Sequence, residues 1–175
     1  GLRAFDAGFM ACVYERPFEV EIVSLENAPV TKENTNPSGR HLSGCRIGFD
    51  AGGSDRKVSA VIDGEPVYSE EVVWFPKTTS DPQYHYDGIL TAMKTAASYM
   101  PRVDAIGVSS AGVYVDNRIM VASLFLKVSD EDFDKKVKNM YLDVAKELGE
   151  NIPVEVANDG DVTALAGAMD LDDNS

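Results

Sequence analysis

Residues 46–62, RIGFDAGGSDRKVSAVI, constrain this chain more than any other stretch. Ile47 and Phe49 alternate with small or polar residues up to Asp50. Ala51-Gly52-Gly53-Ser54 follows as a tight turn, and Val58, Ala60 and Ile62 resume the period of two. The pattern predicts strand, glycine turn, strand. Two glycines let a backbone approach a ligand closely, with amide N–H groups turned toward an anion. Asp50, at the end of the first strand, is then placed to hold a hydrated Mg²⁺ beside that anion. An ordinary β-hairpin with Asp, Gly and Ser in its turn carries the same residues, so this stretch alone leaves both readings open.

Upstream, residues 11–14 and 18–23 read as two short strands around Pro17. Residues 27–44, with Pro29, Asn34, Asn36-Pro37-Ser38-Gly39 and Ser43-Gly44, read as a loop or linker. Phe5-Asp6-Ala7-Gly8 repeats Phe49-Asp50-Ala51-Gly52. Bulky apolar residues follow Gly8 where a glycine and a hydroxyl follow Gly52, so the match is read as coincidence or as a strand end rather than as an internal repeat.

Downstream, Asp63-Gly64 predicts a turn into a third strand over 66–75, and 77–83 is a polar loop. Asp81 and Pro82 are a cap and first residue for a helix. That helix carries Tyr86, Ile89, Leu90, Met93, Ala96, Ala97 and Met100 on one face and stops at Pro101. A buried strand over 103–109 runs into a small-residue turn, Ser109-Ser110-Ala111-Gly112. A ribbon over 113–115 and 119–121 turns at Asp116-Asn117. Ser129 and Asp132 open a second helix with Phe133, Val137, Met140, Tyr141, Val144 and Leu148 inward, ended by Gly149. Residues 154–156 form a last strand before Asn158-Asp159-Gly160-Asp161. A short helix follows with Val162, Leu165, Ala166 and Met169 on one face, and an acidic tail runs from Asp170.

The order β-β-β-α-β-ribbon-α-β-α predicts an α/β mixed sheet with helices on its faces. Ligands of such sheets sit beyond the carboxyl ends of strands. Three loops leave such ends here, at 50–54, 109–112 and 158–161, all small or acidic. Asp159, between a strand and a helix, reads in two ways. Either it or Asp161 caps the helix, or Asp159 takes the proton of a hydroxyl that receives a phosphoryl group while Asn158 orients that hydroxyl.

At 175 residues the chain is about one domain by length. Its net charge of −13, with no basic patch visible, argues against a nucleic-acid partner. No apolar run approaches the roughly 18 residues of a membrane span. Cys12 and Cys45 form no CxxC pair and read as free thiols of a reducing, cytoplasmic setting, and His41 and His85 have no cysteine partner at zinc spacing. The start at Gly1, without a leader pattern, reads as a fragment.

RIGFDAGGSDRKVSAVIDGEPV, DAIGVSSAGVYVDNRIM and VEVANDGDVTALAGAM together resemble the amino-terminal lobe of the ROK family of repressors, open reading frames and sugar kinases, in the actin-like/Hsp70/sugar-kinase superfamily. Asp50, Gly52, Gly53 and Ser54 match its D-x-G-G-T. Residues 107–112 match G-x-x-x-G-P-G without the proline, and 158–165 match N-D-A-N-A-A-A-L. The resemblance implies a ribonuclease-H-like lobe over 45–175, helices on both sheet faces, after an unassigned extension over 1–44; the carboxyl-terminal lobe is absent. It implies ATP and Mg²⁺ as cofactors, a small-molecule sugar as substrate and a second copy of the chain as candidate partner. Asp159 is then the general base. Asn158, Ser110, Ala111 and Gly112 line the sugar, and Gly52, Gly53, Ser54 and Lys57 the ATP phosphates, with Asp50 near Mg²⁺ through water. Two departures stand out. Asp55 adds negative charge to the phosphate turn, for Arg56 or Lys57 to offset, and Asp161 replaces a small or amide residue. A non-catalytic sugar or nucleotide sensor and an ATPase driving a partner protein are the alternatives.

Overall fold

The computed structural model describes residues 4–32 and 41–170. Residues 33–40 of the proline- and asparagine-rich linker and the acidic tail beyond Asp170 lie outside the described residues. The chain divides into two compact units, Gly1–Arg40 and His41–Ser175.

In the first unit the expected strands give way to a helix. Helix α1 spans Ala4–Tyr14 and Phe5 and Phe9, one turn apart, bring their rings to 6.2 Å. Glu15 takes a left-handed φ of 53° and the Arg16 amide reaches back to the Ala11 carbonyl, which closes the helix. A four-residue apolar run, Ala11-Cys12-Val13-Tyr14, is too short to separate strand from helix. Residues 18–23 hold no regular structure. Phe5-Asp6-Ala7-Gly8 is therefore helical, and its match to Phe49-Asp50-Ala51-Gly52 is a coincidence of letters.

The second unit follows the expected order. Strands β1 (Cys45–Ala51), β2 (Asp55–Ile62) and β3 (Glu65–Val73) form an antiparallel meander. Asp63 and Gly64, with φ of 51° and 88°, make the hairpin turn. Helix α2 (Pro82–Ala97) begins as read, with the Asp81 carboxylate accepting from the Gln83 amide, but ends before Met100. β4 (Ala105–Ser110) then lies parallel to β1, and β5 (Gly112–Val115) pairs with β6 (Arg118–Ala122) as a separate ribbon. Ser129 caps α3 (Asp130–Asp132), which passes through a π-helical turn at Phe133–Val137 into α4 (Met140–Leu148). β7 (Val154–Asn158) completes a five-stranded sheet of order β3-β2-β1-β4-β7, and α5 covers Asp159–Asp170.

The period of two gives the sheet unlike faces. Cys45, Ile47, Phe49, Val58, Ala60, Ile106, Val108 and Val156 are buried against Ile89 and Met93 of α2 and Met140, Tyr141 and Val144 of α4. Helices flank the sheet, with α5 running against β4 and β7. The other face carries Gly48, Asp50, Lys57, Ser59, Gly107 and Ser109, none of them fully buried. Among the described residues no helix is long and apolar enough to cross a membrane.

His85 is fully buried in this core. Its Nδ1 lies 3.1 Å from the Asp81 carbonyl, and its Nε2 lies 3.0 and 3.2 Å from those of Pro76 and Leu124. It thereby joins α2 to two irregular turns that have no ladder of their own. His85→Ala leaves a cavity and removes that donor, and should lower unfolding free energy by about 3 kcal/mol, read as a lower urea midpoint at unchanged slope.

Candidate functional site at the carboxyl ends of the parallel strands

The parallel register brings the three candidate segments to one edge. Ala51 is paired with Ser110, and Ser110 with Asn158, so β1, β4 and β7 end side by side. At the usual strand spacing this sets the Asp50 end of β1 roughly 10 Å from the Asn158 end of β7. Two segment boundaries differ from expectation. Ser109 and Ser110 complete β4 rather than forming a turn, leaving Ala111 alone between β4 and β5. Asn158 is the last residue of β7 and Asp159 the first of α5.

The glycine turn is held from inside by Trp74, which is buried. Its backbone N–H donates to the Ser54 carbonyl at 3.0 Å, and its indole N–H to the Gly52 carbonyl at 2.8 Å. The glycines serve close approach rather than unusual φ. A Cβ at Gly52 would stand 2.6 Å from the Asp55 carbonyl, and one at Gly53 would collide with Lys77. The amides of Gly53 and Ser54 have no hydrogen-bond partner among the described residues.

Asp55 folds back over this turn. It accepts from the Ser54 hydroxyl at 3.0 Å and lies 3.3 Å from the Lys57 ammonium. The hydrogen bond and charge of Asp55 raise the Lys57 pKa, with Glu71 and Asp50 adding and desolvation opposing. Lys57 is thus the residue that offsets Asp55. Arg56 points to the opposite face, over the Trp74 ring, with its guanidinium carbon 5.9 Å from the ring centre.

Ser110 is buried, and its hydroxyl donates to the Ala51 carbonyl at 3.2 Å, tying β4 to the start of the glycine turn. Its neighbours Tyr114 and Tyr141 carry buried hydroxyls without a hydrogen-bond partner among the described residues. Desolvation raises the pKa of both, foremost that of Tyr141, so both are neutral phenols.

Asn158 works as a clasp. Its Nδ2 donates to the Gly112 carbonyl at 2.9 Å and its Oδ1 accepts from the Gly160 amide at 2.9 Å. Asn158, rather than Asp159 or Asp161, therefore caps α5. One amide hydrogen and one lone pair stay available for a hydroxyl. The Asp159 carboxylate is exposed, touched by its neighbouring Gly160 amide at 3.0 Å. Asn117, read only as a turn residue, accepts from the Val156 amide at 2.8 Å and docks the ribbon on β7. A side-chain contact of this range has no sequence signal.

Among the described residues no three His, Cys, Asp or Glu side chains converge as a metal cage. Asp50 fits the other mode of Mg²⁺ binding, in which one carboxylate, waters and substrate phosphates share the ion.

Trp74→Phe keeps the ring and deletes the indole donor. It should cost about 1–2 kcal/mol, with faster amide exchange confined to the turn and β2.

No protein-family model and no curated protein matches the chain. Solved structures do. The inorganic polyphosphate/ATP-glucomannokinase of Arthrobacter sp. strain KM matches 72% of this chain and 48% of its own, at 22% identity and a TM-score of 0.52. A putative sugar kinase from Cytophaga hutchinsonii matches 71% and 39%, at 16% identity and a TM-score of 0.54. A ROK family transcriptional regulator, a homologue of the E. coli MLC protein, matches 73% and 31%, at 17% identity and a TM-score of 0.48. The chain spans less than half the length of each of these proteins. Over that part its fold is the mixed α/β sheet of the two sugar kinases.

Proposed function

We propose that this chain is one lobe of an ATP-dependent sugar kinase, inactive alone, that works in the cytoplasm with a second lobe. The observation that carries the reading is the shared edge of β1, β4 and β7, where the glycine turn, Ser110 and the Asn158-Asp159 pair meet. Phosphoryl transfer asks for that economy of parts: amides and a metal at the phosphates, and one carboxylate at the nucleophile. Gly52, Gly53 and Ser54 receive the ATP phosphates, and Lys57 neutralises Asp55 at their rim. Asp50 holds Mg²⁺ through water, and the bound ion offsets phosphate charge. Asp159 accepts the proton of the sugar hydroxyl, and Asn158, fixed by its two hydrogen bonds, presents its remaining polar valences to that hydroxyl. Ser110, Ala111 and Gly112 border the sugar side.

One observation favours a second reading, a sensor that binds without turnover. The Asp55 carboxylate already takes the Ser54 hydroxyl and the Lys57 ammonium, two groups a phosphate would use.

The test is ATP consumption by a protein carrying this chain with its second lobe, against hexoses, amino sugars and N-acetylated sugars. Sugar-dependent ADP release is expected. ADP release without sugar would point to a partner-driving ATPase, and silence with sugar-raised melting temperature to the sensor. In that protein Asp159→Asn should lower turnover by at least about a thousandfold at unchanged melting temperature. Retained turnover removes Asp159 from the base role. Asp50→Ala should weaken Mg-nucleotide binding about tenfold, and unchanged affinity in titration calorimetry would refute its metal role.

A further inference from the structure

A shallow depression opens beside the glycine turn, bordered by Gly53, Ser54, Val73, Phe75, Lys77 and Thr78. Lys77 enters it from the 3₁₀ turn Pro76–Thr78 that follows β3. The side chain lies on the turn itself, because a Cβ at Gly53 would collide with its Nζ and Cε. Gly53 is thus the cradle for a lysine that arrives from a distant part of the chain. Exposed Lys77 pairs with no carboxylate among the described residues, whereas Lys57 is held by Asp55. The unpartnered amides of Gly53 and Ser54 are next to it.

We propose that Lys77, and not Lys57, is the cation that grips the phosphate chain of a Mg-nucleotide at this turn. The inference rests on the proposed function, since it takes the glycine turn as the phosphate seat, and adds the charge that seat otherwise lacks. An ammonium already paired with a carboxylate must give up that pair to bind a phosphate, and a free one gives up only water. Its Nζ and Cε are the atoms nearest the glycine, so the ammonium itself stands on the turn. Val73 and Phe75, 68% and 65% exposed, form an apolar rim to the depression.

The experiment is calorimetric titration of the 175-residue chain with magnesium tripolyphosphate, an adenosine-free probe of the phosphate contacts. The chain is expected to bind it. Lys77→Gln should bind about tenfold more weakly at an unchanged melting temperature, and Lys77→Arg within about threefold of the parent. Lys57→Gln, which leaves Asp55 uncompensated at the rim, should weaken binding less than Lys77→Gln does. Parent affinity in Lys77→Gln overturns the assignment of Lys77 while leaving the phosphate seat in place. A parent chain that binds no tripolyphosphate overturns both. Should Lys77→Gln melt early, the dimethyl resonance of Lys77 in the reductively ¹³C-methylated parent chain decides the matter. A shift that saturates with tripolyphosphate supports the contact, and a resonance that stays in place overturns it.

Discussion

Trp74 grips the glycine turn with two hydrogen bonds, and much of the second unit is arranged to keep that grip. Gly52 and Ser54 offer carbonyls toward the interior, where an indole N–H and a backbone N–H meet them in a setting that excludes water. A turn whose carbonyls are bound inside presents its amides outside. The tryptophan is fixed by the start of α2: Gly88 leaves its ring room, since a Cβ there would come within 3.4 Å of it, and the His85 ring stands edge-on at 6.3 Å. His85 is in turn held to the carbonyls of Asp81, Pro76 and Leu124. The Asp81 cap, the first turn of α2 and the shape of the glycine turn are one mechanical unit.

The two faces of the sheet divide the work. The apolar face supplies the burial that holds the fold. The other face is kept small so that polar groups can stand on it. Gly48 is an example, since a Cβ there would lie 2.8 Å from the Ser59 hydroxyl. Asp50 belongs to that second face by simple alternation with Phe49 and Ala51, both 2% exposed. A one-residue slip of β1 would bury the carboxylate and expose the phenylalanine, so the core itself enforces where Asp50 points.

The sheet was legible because its signals are local. Alternation in β1 and β2, left-handed turns at Asp63-Gly64 and Asp116-Asn117, and the Asp81-Pro82 and Ser129 helix starts each lie within a few residues. Helix α1 was not, since residues 11–14 offered too short a window and the helix draws on residues from Ala4 onward. The three site segments were nameable from residue type, and their convergence followed from strand order. What remained hidden depends on side-chain reach. Nothing in the spacing of Lys77 and Gly53 brings them together; only the return of β3 along β2 does. Lys57, two residues from Asp55, pairs with that carboxylate, which its place in the sequence did not reveal. Asn158 looked like a ligand and is first a clasp between β5 and α5.

An acidic chain is an unexpected place for an anion site, and the distances resolve the tension. A net charge of −13 acts through a salt solution whose screening length is about 10 Å at 0.1 M, so most exposed carboxylates are muted at the turn. Groups in contact with the anion are not muted, and they decide its affinity. Two open amides and one unpaired ammonium face that space, and the nearest carboxylate, Asp55, spends its charge on Lys57 and the Ser54 hydroxyl. An extended polyanion would meet the whole acidic surface as well and be repelled, whereas the proposed phosphate chain of a nucleotide would meet the turn alone. Net charge therefore weighs more heavily against an extended polyanion than against the single phosphate chain of the proposed ligand.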